Sequence, residues 1–205
     1  MTIHHATPAF DFTTHRNHLG DRSSKWGNVD TFLGKKAAPD TLAMWLAQMD
    51  FQPAPFLQNA MDALRAEGEY GYFTGLDRFF ARISWWYEMR HGWSPDPAHM
   101  FVTHGIGNAI GITLQAMTEP GDGIIIFSPV YNEFQAKIQR NGRNVVSSKL
   151  VVDDAGLYRM DLASLETQLT GREKAVLFST PHNPAGRVWE TQALNALADF
   201  CLRHD

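Results

Sequence analysis

Three observations in this sequence predict an α/β fold with a mostly parallel sheet and helices on both faces. From His99 onward, short apolar runs rich in β-formers alternate with stretches of helical spacing, the pattern of parallel strands joined by crossover helices. Ile124-Ile125-Ile126-Phe127 is a continuous apolar run between Gly123 and Pro129, which suits a buried strand. A second such run opens at Ala175 and is broken by Pro181, Asn183, Pro184 and Gly186 before helical spacing resumes. A polar turn at the carboxyl end of a buried strand is where open α/β sheets take their ligands.

The elements follow in order. Residues 1–40 are polar and aperiodic, with Gly20, Gly27 and Gly34 as punctuation, and predict an extended N-terminal arm. Trp26 on that arm is expected to anchor it to a neighbouring surface. Residues 41–98 predict a helical, aromatic-rich segment. Leu57, Ala60, Met61 and Leu64 stand at helical spacing between Pro55 and Gly68, with proline suited to a first turn and glycine to an end. An aromatic loop, Glu69 to Gly75, leads to a second stripe of Leu76, Phe79, Phe80, Ile83, Trp86 and Tyr87, closed by Gly92. That stripe is expected to pack in a core, since nothing basic accompanies it as a base-stacking surface would need.

In residues 99–205 the expected order is a strand over His99–Thr103, a turn at Gly105-Ile-Gly107, and a helix through Ile106, Ile110, Leu114 and Met117. A strand at Ile124–Phe127, a helix over Pro129–Asn141 and a strand over Arg143–Val152 come next. Then come a short helix capped by Asp161, the strand at Ala175, and a helix with Leu194, Leu197, Ala198 and Cys201 on one face. A helix in that last position leads into a further parallel strand, so the chain is expected to stop before its sheet is complete.

Composition narrows the function. The chain has 205 residues, 44% of them hydrophobic and 20% charged, and a net charge of −4, the profile of a soluble globular protein with no basic face for nucleic acid. Cys201 is the one cysteine, which excludes a disulfide framework or a thiolate metal site and fits a reducing compartment. Without a signal-peptide core or a membrane-length apolar run, the expected location is the cytoplasm.

Three turns carry candidate ligand groups. Backbone N–H groups at the Gly105 turn would face an anion at a helix start; a bare strand-to-helix turn is equally open there. Ser128-Pro-Val-Tyr131 offers an aromatic ring, and Asn183, held between prolines, offers an amide; taken alone, that turn fits a plain strand-to-helix connection at least as well, since Asn is common in turns. A dinucleotide fingerprint is disfavoured: Ile110 stands where its third glycine should, and Phe127-Ser128 where an acidic residue is due. No Gly-Lys-Ser or Gly-Lys-Thr exists for a triphosphate loop. A phosphate grip, a stacking ring and a hydrogen bond to a ring oxygen together suit pyridoxal 5′-phosphate.

The ordered set Thr103-x-Gly105, Pro120-Gly-Asp122, Pro129-x-Tyr131 and Asn183-Pro-x-Gly186 resembles the class I/II aminotransferase superfamily of fold-type I pyridoxal phosphate enzymes. Met44-Trp-Leu-Ala-Gln-Met-Asp-Phe51 and Pro181-His-Asn-Pro-Ala-Gly-Arg-Val-Trp189 resemble its cystathionine β-lyase (MalY/PatB-type) branch. Gln48 departs from that branch, where an acidic residue is usual, and Gly107 departs from the bulkier residue usual at its position. The resemblance implies an aminotransferase-like large domain over 99–205, present in part, whose remainder and small domain lie beyond Asp205. It implies that Gly105, Ile106 and Gly107 hold the cofactor phosphate, that Tyr131 stacks on the ring and that Asn183 bonds the ring's phenolic oxygen. Tyr72 would reach the phosphate across a homodimer interface.

The implied activity of the complete protein is C–S β-elimination from cystathionine or cysteine S-conjugates, with transamination the alternative; the substrate is an amino acid either way. The lysine that carries the cofactor, an Asp on the pyridine nitrogen and an Arg for the substrate carboxylate are expected beyond this chain. Lys25, Lys35, Lys36, Lys137, Lys149 and Lys174 are outside the family's lysine motif and are expected to be solvated charges. The 205-residue chain alone is therefore expected to be non-catalytic, at most a cofactor-site half or a binding module.

Overall fold

The structure is a computed structural model and describes residues 10–14, 18–19, 21–72 and 74–204. Residues 1–9 of the expected arm lie outside the described residues, as do Gly20 and Phe73 of the expected punctuation and aromatic loop. The chain divides into two compact units, Met1–Phe79 and Phe80–Asp205.

In the first unit, two short helices replace the fully extended arm: α1 (Ser24–Gly27) and α2 (Val29–Leu33). The Ser23 side chain accepts from the Trp26 N–H at the start of α1, a cap that spacing alone did not bring out. Trp26, Val29 and Ala43 form a small buried cluster, so Trp26 anchors this segment as expected. Helix α3 (Pro55–Glu67) has proline in its first turn and ends on Gly68 at φ 73°, the left-handed end that glycine accommodates.

Helix α4 (Leu76–His91) forms where its stripe predicts, but none of its residues is buried. The expected core packing is not seen: of the stripe, Trp86 keeps about half of its surface exposed, and Phe80 and Ile83 are only partly buried.

The second unit is built on a three-stranded parallel sheet of β1 (Gly123–Ser128), β2 (Asn144–Lys149) and β5 (Glu173–Val176), with β1 between the other two. Ile124 of β1 sits opposite Val145 of β2 and Ala175 of β5. Beyond β5, the Leu177 N–H still donates to the Ile125 carbonyl (2.8 Å). Alternate residues of β1 point to opposite faces. Ile124 and Ile126 pack with Leu114 of α5 (Ile106–Met117) and with Phe134 and Ile138 of α6 (Asn132–Arg140). Ile125 and Phe127 pack with Leu165 of α7 (Leu162–Glu166) and with Leu197 and Phe200 of α8 (Thr191–Arg203). Helices therefore cover both faces.

Two strand expectations are corrected. His99–Thr103 is not a strand; a 3₁₀ turn occupies Pro97–His99 and the residues after it are irregular. A strand needs a ladder partner, and none of the described strands pairs with this segment. Arg143–Val152 is two strands rather than one. Buried Leu150 ends the pairing with β1 by donating its N–H to the Ser128 carbonyl (2.8 Å). The chain then turns into an antiparallel pair of β3 (Val151–Val152) and β4 (Tyr158–Arg159). Among the described residues, β5 has one sheet neighbour. Leu169, Lys174, Val176, Phe200 and Cys201 line a groove of about 320 Å³ beside it. No described helix is long and apolar enough to cross a membrane.

Candidate functional site

Parallel strands bring their carboxyl ends to one side, so the turns after β1 and β5 are neighbours by construction. The first runs from Ser128 into α6, with Tyr131 at the helix N-cap. Tyr131 is half exposed, and its ring meets the Phe134 ring edge-on at 5.9 Å. The second turn carries Asn183. It is closed by the His182 N–H donating to the Arg187 carbonyl and the Gly186 N–H donating to the His182 carbonyl, both at 2.7 Å. Asn183 is exposed at the head of this closed turn, and no other described residue takes its side-chain amide.

The two turns touch through His182, which is 2% exposed. Its Nε2 lies 2.9 Å from the Pro129 carbonyl oxygen. The carbonyl only accepts, so Nε2 donates to it. The ring's Nδ1 has no partner; with Ser179 Oγ and Trp189 Nε1, it makes up the buried side-chain polar atoms left unpaired among the described residues. All three come from the strand-to-helix stretch that bears Asn183.

The third turn is the start of α5, which runs alongside α6. A Cβ at Gly107 would meet Lys137 Cε at 3.0 Å, and Gln115 donates to Asn141 at 2.7 Å. Gly105 is the N-cap at φ 82°, ψ 164°, a region open essentially to glycine alone. No side chain caps the helix. The Asn108 and Ala109 N–H groups bond the Gly105 carbonyl, while the N–H groups of Ile106 and Gly107 begin the helix and have no intrahelical acceptor. Two amides without an intrahelical acceptor on the positive end of a 12-residue helix have the chemistry that an anion needs.

Of the sequence-predicted residues, Gly105, Ile106, Gly107, Tyr131 and Asn183 all belong to the second unit. Tyr72 belongs to the first, in the loop before α4, where it is fully exposed. The groups in the second unit have the chemistry pyridoxal phosphate requires: helix-start amides for a phosphate, an aromatic face, and a free amide donor.

Sequence reasoning missed three groups. One is His182, hidden between two prolines. Another is Arg187, whose guanidinium donates to the Tyr158 carbonyl (3.1 Å) and to Glu190 (2.7 Å) and lies 5.3 Å from the Trp189 ring centre. The third is Lys25, expected as a solvated charge but 5% exposed. Its Nζ donates to Asp50 Oδ2 (2.7 Å) and to the Gln48 carbonyl (2.8 Å). Trp26 Nε1 donates to Asp50 Oδ1 (2.7 Å), and Lys25 and Trp26 together hold the Asp50 carboxyl below its usual range. A buried ammonium needs such a carboxylate. The signal available in the sequence was Lys25-Trp26 adjacent in the chain, with a lone Asp50 in an apolar loop.

The chain is similar to known proteins along nearly its whole length. It is 32% identical over 195 residues to cystathionine beta-lyase PatB of Bacillus subtilis (strain 168), covering 95% of this chain and 49% of that protein. It is 27% identical over 198 residues to arginine–pyruvate transaminase AruH of Pseudomonas aeruginosa, covering 95% and 49%. The crystal structure of cystalysin from Treponema denticola, which contains a pyridoxal 5′-phosphate cofactor, superposes with a TM-score of 0.87 at 29% identity, covering 95% of this chain and 49% of that one. The chain thus spans about half the length of the relatives it matches. A family model described as aminotransferase class I and II matches residues 39–205. With that match over most of its length, and with the strand-end turns that bear the family's motifs, the chain belongs to the class I and II aminotransferase family.

Proposed function

We propose that the full-length protein is a pyridoxal-phosphate-dependent C–S β-lyase that acts on cystathionine or cysteine S-conjugates. The observation that carries the cofactor reading is the union of the Tyr131 and Asn183 turns through His182, beyond the carboxyl ends of β1 and β5. The likeness to cystathionine beta-lyase PatB favours the lyase reaction, and the likeness to a transaminase favours aminotransfer as the second reading.

Pyridoxal phosphate supplies an electron-withdrawing ring that lets an amino acid lose its Cα proton and expel a thiolate from Cβ. This chain's own residues bind and orient. The Ile106 and Gly107 N–H groups hold a phosphate, and the left-handed Gly105 gives it close backbone approach. The Tyr131 face covers a ring. The Asn183 amide donates to a phenolic oxygen and resists rotation, because the turn behind it is closed at both ends. Tyr72 acting across a homodimer interface, a cytoplasmic location, and an arm over 1–40, an aromatic segment over 41–98 and a cofactor-binding part over 99–205 belong to the same proposal.

The test is to load the full-length gene product with pyridoxal phosphate and supply cystathionine and water with no keto acid. Sustained, equimolar release of pyruvate, ammonia and homocysteine is expected. No sustained pyruvate, together with turnover that appears only when a keto acid is added, would replace the lyase by the aminotransferase.

A further inference from the structure

We propose that His182 is a positioning residue for the cofactor site. Its Nε2–H bond to the Pro129 carbonyl locks the Tyr131 turn to the Asn183 turn and so sets the spacing of the two groups that face the ring. The proposal rests on the cofactor reading above. His182 precedes Asn183 in the chain, and Pro129 is two residues before Tyr131. One hydrogen bond of 2.9 Å therefore joins segments 53 residues apart at the point where both present a ligand group.

The ring's surroundings argue against a purely space-filling role. His182 sits between Trp189, edge-on at 5.7 Å, and Phe178, edge-on at 6.4 Å, with Nδ1 buried and unpaired. An apolar side chain there would avoid the cost of that nitrogen. What histidine adds is the single bond to Pro129. The backbone of His182 is fixed as well, by the paired N–H and carbonyl contacts to Arg187 and Gly186. Asn183 thus leaves a residue whose ring and backbone are both held.

The experiment measures the dissociation constant for pyridoxal phosphate by titration of the full-length gene product after cofactor removal, with the unfolding midpoint of the apo form recorded beside it. The variants are His182→Phe, His182→Gln, Asn183→Ala and the double variant that joins His182→Phe to Asn183→Ala. A glutamine amide can reproduce the Nε2 donor, so H182Q is expected to bind within about three-fold of wild type, whereas H182F weakens binding about ten-fold. In the Asn183→Ala background the H182F effect should shrink, since the group it positions is gone. Should H182F fail to fold, His182→Leu makes the same comparison.

Equal binding by wild type and H182F would overturn the proposal alone, as would full multiplication of the two single effects. So would an H182Q protein that is folded yet as weak as H182F. A wild type that binds no pyridoxal phosphate would overturn the cofactor reading, and this proposal with it.

Discussion

Glu190 shows how one side chain steadies the turn that bears Asn183. It is the N-cap residue of α8, and its carboxylate accepts two bonds from Arg187 Nη2 (2.8 and 2.7 Å). Those bonds, then its own backbone N–H and the nearby charges of Arg187 and Arg159, pull its pKa down to about 2. An unfolded glutamate titrates at about 4.3. The folded value is the lower one, so the stabilisation is present above about pH 4.3 and is lost as pH falls toward about 2. A Glu190→Gln protein should lack this component. Its unfolding midpoint should fall less steeply between about pH 5 and pH 2.5 than that of wild type, measured by circular dichroism at fixed salt. The Glu190 carboxylate is half exposed, so the difference is expected to be modest and to shrink at high salt.

At the scale of elements, β1 is the member on which the second unit depends. Phe127 is 1% exposed and touches the α7–α8 side of the core. Truncation of a buried phenylalanine removes transfer free energy and leaves a cavity, so Phe127→Ala should cost about 3–5 kcal/mol in urea unfolding. A loss under about 1 kcal/mol would mean that this face is not a packed core.

The run Ile124–Phe127 was legible because a strand covered on both faces is apolar at every position. Helices α3, α5 and α8 were legible because period and end signals agreed. His99–Thr103 misled for the converse reason: β-prone residues specify a strand only when a partner ladder exists, and local sequence is silent about partners. The aromatic stripe of α4 misled in the same way, since periodicity names a face but not what covers it.

For the whole molecule, the separation in sequence decides what could be read. The Gly105, Tyr131 and Asn183 turns each announce themselves locally through glycine and proline, and the rule that strand ends gather ligands places the last two, after β1 and β5, on one side of the sheet. The contact that fastens the Tyr131 and Asn183 turns is long-range: His182 to Pro129 spans 53 residues. In the first unit, Lys25 to Asp50 spans 25, and no local pattern encodes either encounter.

The alternation along β1 has a consequence for the time course of solvent exchange. Ile124 and Ile126 belong to one cluster and Ile125 and Phe127 to the other, so a single strand is the shared wall of two otherwise separate packed layers. Detaching the helices on either side alone leaves that strand bonded to β2 and β5. Its amides reach deuterium only when both layers are lost together, which makes opening of the second unit all-or-none at its centre. In native-state hydrogen exchange, the N–H groups of residues 124–127 should be the slowest of the chain and share one opening free energy. Those at the α4 surface should exchange many orders of magnitude sooner, and two distinct opening energies for odd and even positions of β1 would show that the layers come apart independently.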